Sequence, residues 1–390
     1  MTTAVAIQGS CDSRFSALKD AFAENFASHG EVGAALAVMV DGRMVVDLWA
    51  GHADAARTRP WQRDTIVNVY STTKGMTAIC AHRLVDQGRL DLDAPVARYW
   101  PEFAQAGKET LPVRYLLDHT AGLPAIAEPL PPGSLYDWSA MTAALAGQAP
   151  WWTPGTKHGY HALTYGWLVG EVVRRISGKS PGAYFRDEIA APLALDFHIG
   201  LGPEHDARTA EMISAAIPQP GEGNPLIDAL SDPESMAYKS FANPPDTTIE
   251  GSVNTRQWRA AEIPAANGHG NARALARVYG ALARGGELDG VRVLSQQAID
   301  RAIEEQAYGP DAVLVGLPMR VGLGFMLTME EMPLGPNPRT FGHAGMGGSI
   351  GFADPDARVG FGYTMNRMLF PPDLQDPRWP GMFDALYGSL

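Results

Sequence analysis

Serine followed three residues later by lysine occurs twice in this chain, as SALK at Ser16 to Lys19 and as STTK at Ser71 to Lys74. The pairing carries chemistry because a neutral lysine amine is a base able to take a serine proton, and the freed oxygen then attacks a carbonyl. A third serine, Ser349, stands at the centre of GGSIG, the spacing of a nucleophile elbow. Context separates the three. Ser16 and Lys19 fall in the middle of an amphipathic N-terminal segment with charged neighbours, which reads as solvent-facing decoration. Ser349 is followed by FADPDARVGFGYTM, a strand, turn and strand rather than the helix an elbow requires, so its glycines read as easing a strand past a crowded place.

Ser71 is placed differently. The run TIVNVY before it is strand-like and the run GMTAICAHRLV after it is helical, so Ser71 is expected at a helix N-terminus. There, free backbone N–H groups and the positive end of the helix dipole favour an oxyanion. Lys74 projects from the same face. Apolar neighbours would desolvate its ammonium and favour the neutral amine. Moving a lysine from about 10.4 to near 7 takes roughly 4–5 kcal/mol, within reach of a buried site. From this segment alone, a helix cap followed by a surface lysine is the competing reading. The lysine inventory favours the base: Lys19, Lys74, Lys108, Lys157, Lys179 and Lys239 are the only lysines, while arginine, which cannot deprotonate, supplies most cations.

The whole chain bounds the setting. Its 390 residues exceed the usual single core. A net charge of −12 without a basic stripe argues against nucleic acid and anionic membrane as partners, and no apolar run is long enough to span a bilayer. The N-terminal stretch lacks the features of an export signal, and the only cysteines are Cys11 and Cys80, so a cytoplasmic protein is expected.

The elements that must position these residues follow from patterning. SRFSALKDAFAENFAS repeats at helical spacing and stops at Gly30. Two β-rich runs flank Asp41-Gly42, a strong hairpin signal. Residues 71 to about 200 read as mainly helical, with LTYGWLVGEVVRRISG ending in arginines and a glycine stop. Residues 202–266 are irregular and rich in Pro, Gly and Asp, as expected of a segment covering a cleft. A helix with Asn271 as N-cap follows, then the strands VGLGFML and GGSIGFADPDARVGFGYTM with a turn at DPDAR, and a closing helix in MFDALYGSL. The expectation is an α+β architecture: residues 1–62 plus 270–390 form a discontinuous sheet domain covered by the terminal helices, and residues 63–269 form a mainly helical domain.

STTK after a strand, LLDHTAGLP some forty residues on, WWTPGTKHGYHALTYGWLVGEVVRR, and GHAGMGGSIGFADP near the C-terminus together resemble the serine β-lactamase/penicillin-binding-protein superfamily. Within it they are most similar to the class C β-lactamase-like esterases, the family VIII carboxylesterases. The resemblance covers roughly residues 30 to 390 and implies the β-lactamase/transpeptidase-like fold. It implies Ser71 as nucleophile, with Lys74 and Tyr160, in PGTKHGYHA, moving its proton. Read without the resemblance, Tyr160 is a core aromatic. The HAG stretch, His343 to Gly345, matches the third motif on the strand edging the cleft. It implies an oxyanion hole from the backbone N–H groups of Ser71 and Met346, with His343 and Gly345 meeting substrate. A structural histidine is the alternative for His343.

Two departures bear on substrate. Ala162 stands where the lactamases carry an amide side chain, and His343 replaces the strand lysine that helps hold a lactam carboxylate. Both weaken recognition of an anionic lactam and leave ester chemistry intact. The expected activity is therefore a serine carboxylesterase on small-molecule esters, with no cofactor and no metal, since HGYH lacks a third ligand. Trp152 and Trp258, with Trp151, are candidates to line an acyl or alcohol pocket, simple packing being the alternative. Lysine and tyrosinate both remain open as the initial base. The rival activities are β-lactam hydrolysis, D-amino-acid peptide or amide cleavage and acyl transfer on the same site; a non-catalytic ligand-binding protein is the rival of another class. Oligomeric state is not legible.

Overall fold

The computed structural model describes residues 5–216, 219–222, 224–371 and 375–390. Its frame is a nine-stranded antiparallel sheet in the order Gln8–Cys11, Arg43–Gly51, Gly33–Val40, Val359–Met365, Ile350–Asp354, Phe341–Ala344, Met326–Leu327, Pro318–Val321, Ala307–Pro310. Every strand of this sheet comes from the two ends of the sequence, and the chain between them supplies helices and two small sheets.

Local chemistry sets the turns. Asp41 and Gly42 both take positive φ, 52° and 80°, and join Val40 to Arg43 as the two-residue loop a twisted hairpin needs. In the DPDAR turn, Asp354 Oδ1 accepts the N–H groups of Asp356 and Ala357, and the next strand begins at Val359.

Alternation along Val359–Met365 sorts the layers. Gly360 and Gly362 face the helix Ala272–Leu282, where a Cβ would lie 2.2 Å from Gly280 N and 2.3 Å from Ala272 O. Helix backbone thus rests directly on sheet backbone. Phe361 points the other way, stacking on Phe352 at 4.8 Å and meeting Phe383 of the terminal helix Trp379–Tyr387 edge-on. The helix Ser16–Ser28 lies beside that terminal helix, Phe22 meeting Tyr363 edge-on. In the helical part, Thr73–Asp86 packs against Thr164–Ser177, which ends at Gly178 with φ 75°. One hydrophobic cluster runs from the sheet into these helices.

Four details differ from the sequence expectation. VGLGFML is two strands, Pro318–Val321 and Met326–Leu327, broken by a bend in which Gly324 has φ +90° and no room for a side chain against Ala78. The strands Gln8–Cys11 and Ala307–Pro310 went unread because they are the sheet edges and largely exposed, so they carry no apolar alternation. Within 202–266 the chain makes short helices, among them Pro225–Ser231, Met236–Ala242 and Arg256–Ala260, each capped by a side chain of Asn224, Ser235 or Thr255. Residues 217, 218 and 223 of that segment lie outside the described residues. Met346 lies beyond its strand, in a tight turn over 345–348.

Candidate active site

The chain approaches Ser71 along Val67–Asn68, which pairs with His269–Gly270. Tyr70 then takes φ +43°, an unfavourable value for an aromatic residue, and a 3₁₀ turn over Tyr70–Thr72 carries Ser71 into the helix Thr73–Asp86. The turn is over-determined by its neighbours. Val69 N–H donates to Gly268 O (2.9 Å), Thr73 Oγ1 to Tyr70 O (2.5 Å), and Gly268 N–H to Thr73 Oγ1 (2.9 Å). Trp258 ties the approach from below, its indole N–H reaching Asn68 Oδ1 at 3.1 Å.

One helical turn on, Lys74 is fully buried. Its Nζ lies 3.1 Å from Ser71 Oγ, 2.7 Å from Ala162 O and 3.0 Å from Ala265 O. Burial holds this amine well below the ordinary lysine range. A neutral amine has two N–H donors and one lone pair; two carbonyls, which can only accept, take the donors. The lone pair is left for the Ser71 hydroxyl proton. Thr77 Oγ1 donates to Pro264 O (2.5 Å), which pins the segment presenting the Ala265 carbonyl.

Tyr160 covers the pair. Lys74 Nζ lies 4.7 Å from its ring centroid, and its phenol is close enough to the Ser71 hydroxyl to feel it. Burial pushes the phenol above the ordinary tyrosine range, and the Ser71 contact only partly opposes this. The Tyr160 main chain is fixed by Asp311, whose Oδ1 accepts from the N–H groups of Tyr160 (3.1 Å), Val313 (2.8 Å) and Leu314 (2.8 Å).

Imidazoles surround the phenol. His119 and His343 lie 5.1 and 6.3 Å from the Tyr160 ring. His161 has a fixed tautomer: Nδ1–H donates to Gly159 O (2.6 Å) and Nε2 accepts from Leu123 N–H (3.0 Å). Burial pushes His161 and His343 down to about 3 and His119 well below its usual range, so the ring is neutral. His343 Nδ1 sits 2.7 Å from Ala344 O, which can only accept, so that nitrogen carries the proton.

The strand Phe341–Ala344 delivers its following turn to the Ser71 turn. Gly345 N–H donates to Ser349 O (2.7 Å), and Ser349 Oγ donates to Val69 O (2.8 Å) and lies 3.1 Å from Thr72 Oγ1. Ser349 is fully buried and acts as a strut. At Gly345 a Cβ would meet Val69 O at 2.2 Å and Ser349 Oγ at 2.3 Å, so its smallness admits the close approach of the chain leading to Ser71. The backbone N–H groups of Ser71 and Met346 have no acceptor among the described residues. Among those residues, too, no three His, Cys, Asp or Glu side chains come together in a way that could hold a metal ion.

The structure therefore brings together Ser71, Lys74, Tyr160, His343 and the Gly345–Met346 turn. The two tryptophans expected against substrate are packed. Trp258 lies in the main core, and Trp152, 9% exposed, stands edge-on to His161 and backs Gly159. Sequence reasoning missed the carbonyls of Ala162 and Ala265 and the carboxylate of Asp311. No side-chain pattern signals a carbonyl's use, and Asp311 meets Tyr160 only through the fold.

Comparison with known proteins is consistent with this geometry. The Beta-lactamase family matches residues 18–380. The chain is 40% identical over 374 residues to the "Esterase/beta-lactamase LipL" of Mycobacterium tuberculosis, covering 94% of this chain and 85% of that protein. It is similar to the crystal structure of a family VIII carboxylesterase, with a TM-score of 0.89 and 45% identity over 99% of this chain and 100% of the other. A penicillin-binding protein homologue from Caulobacter crescentus superposes with a TM-score of 0.88 at 41% identity, covering 99% of this chain and 100% of that one.

Proposed function

This chain belongs to the beta-lactamase family, and from that premise we propose that it is a serine carboxylesterase whose acyl-enzyme forms on Ser71. The observation that carries the assignment is the buried Lys74 amine, its two donors taken by carbonyls and its lone pair left for Ser71. Lys74 is the initial base and takes the hydroxyl proton as Ser71 Oγ adds to the ester carbonyl. Tyr160, protonated at rest, passes a proton to the departing alcohol oxygen and is restored through Lys74. The Ser71 and Met346 N–H groups receive the oxyanion. Water entering the vacated alcohol side repeats the steps in reverse and frees the acid.

The substrate class follows from what surrounds Tyr160. Neutral imidazoles and the methyl of Ala162 offer no cation to a carboxylate, so uncharged esters suit the site better than anionic lactams. A second apolar cluster containing Tyr160, Leu226, Val313 and Leu314 supports an apolar acyl or alcohol group. Two free cysteines, one of them buried, fit a reducing cytoplasm, and among the described residues no helix is long and apolar enough to cross a membrane.

Rates on short p-nitrophenyl esters and on a chromogenic cephalosporin test the reading. Ester turnover should exceed lactam turnover and vanish in Ser71→Ala. Faster lactam turnover would make the site a lactamase instead.

A further inference from the structure

The turn that offers the Met346 N–H is held from behind by the start of the last helix. Arg378 is 1% exposed, and all five of its N–H donors are placed. Nε and one Nη2 hydrogen reach Asp376 (2.8 and 2.5 Å), Nη1 reaches Glu31 Oε2 and Arg367 O (both 2.9 Å), and the second Nη2 hydrogen reaches Gly347 O. The next residue does the same for the next peptide: Trp379 Nε1–H donates to Gly348 O at 2.9 Å. Leu369 N–H also donates to Gly347 O (3.2 Å). Gly347 and Gly348 take φ values of 89° and 121°, and a Cβ on Gly348 would fall 1.9 Å from Arg378 Nη2.

We infer that Arg378 and Trp379 are positioning residues for the oxyanion hole, an inference that rests on the serine-esterase reading above. They act through peptide planes. Fixing the carbonyls of Gly347 and Gly348 sets the rotation of the glycine pair that follows Met346, and the Gly348 N–H in turn donates to Gly345 O (3.1 Å), in the peptide that carries the Met346 N–H. Ser349 fixes the opposite end of the turn against Val69 and Thr72. The Met346 N–H is thereby held where charge develops on the substrate oxygen, without reorganisation during reaction. Glycine is the residue type least able to hold such an orientation by itself, so the clamp must come from elsewhere. It comes from a buried cluster of Glu31, Arg378 and Asp376 that joins the two ends of the sequence.

Trp379→Phe tests this, because it removes the indole N–H and keeps an apolar ring in place. Both acylation and deacylation use the same hole, so kcat on a p-nitrophenyl ester should fall about tenfold with KM within about twofold. Affinity for an arylboronic acid, which forms a tetrahedral adduct on the serine, should fall by a similar factor. Leu386→Ala, in the same helix but away from the turn, is the structural control: it should lower Tm and leave kcat unchanged well below melting. Wild-type kcat and boronate affinity in Trp379→Phe would overturn the inference. So would an equal loss of kcat in Leu386→Ala. Wild-type protein that forms no adduct on Ser71 would overturn the esterase reading and this inference with it, a result separable from the other two.

Discussion

At the scale of single residues, the proposed chemistry turns on what Lys74 can do that arginine cannot. Lys74→Arg puts a permanent cation where the neutral amine stands and removes the lone pair, so ester turnover should fall by about 10³ or more, a loss read from kcat/KM. Tyr160→Phe removes only the phenol oxygen and should cost about 10²–10³ in kcat. A variant of either kind within tenfold of wild type would remove that residue from the mechanism. The pH profile has a fixed sign. Because burial lowers the Lys74 pKa, the active neutral form persists to pH values well below the ordinary lysine range, and activity should be lost only as acid recharges the amine. A profile that rises only near pH 10 would show the amine unshifted.

At the scale of elements, the site depends on how a strand end and a helix start are fastened. Ser349→Ala leaves the Val69 carbonyl without its hydroxyl donor and Thr72 Oγ1 without its neighbour, both buried. Stability should fall by about 1–3 kcal/mol, measured by urea denaturation, while catalysis is reduced but retained. Dead Ser349→Ala beside active Ser71→Ala would reverse the two serines' roles. Elements with strong local chemistry were legible in the sequence: the Asp41-Gly42 hairpin, the Gly178 helix stop, and the Asn271 cap, which accepts from Ala274 N–H at 3.0 Å. STTK was legible because strand and helix patterns meet at Ser71. The edge strands were not, since exposure removes the alternation that marks a strand. Trp152 and Trp258 show the converse: a large aromatic near a motif reads the same whether it meets substrate or props a loop.

At the scale of the whole molecule, burying neutral imidazoles has a consequence for stability. His161, His269 and His343 are pushed down to about 3 by burial, so between about pH 6.5 and 3 the unfolded chain binds protons that the folded chain does not. Stability should therefore fall as pH falls through this window. Asp118 works against this: burial raises its carboxyl to about 6, so below that value the folded state gains a proton first. Burial raises Glu31, Glu262 and Asp311 as well, but it also lowers His82 and His119, so the imidazoles outnumber these carboxyls. Urea midpoints measured from pH 7 to pH 4 should drop steadily, and a flat series would mean that the imidazoles are charged in the folded state. These groups lie far apart in sequence, as do Glu31 and Arg378, and no local pattern announces that they meet. The resemblance pointed to the proposed catalytic trio and oxyanion turn, whereas the clamp behind that turn became visible only with the fold.

In the proposed mechanism a buried, neutral Lys74 activates Ser71. Labelling with a fluorophosphonate, mapped by peptide mass spectrometry in wild type and Lys74→Arg, tests it most directly. The adduct should fall on Ser71, and Lys74→Arg should label at least about a hundredfold more slowly. An adduct on Ser349 or another residue, or equal labelling rates in the two proteins, would contradict it.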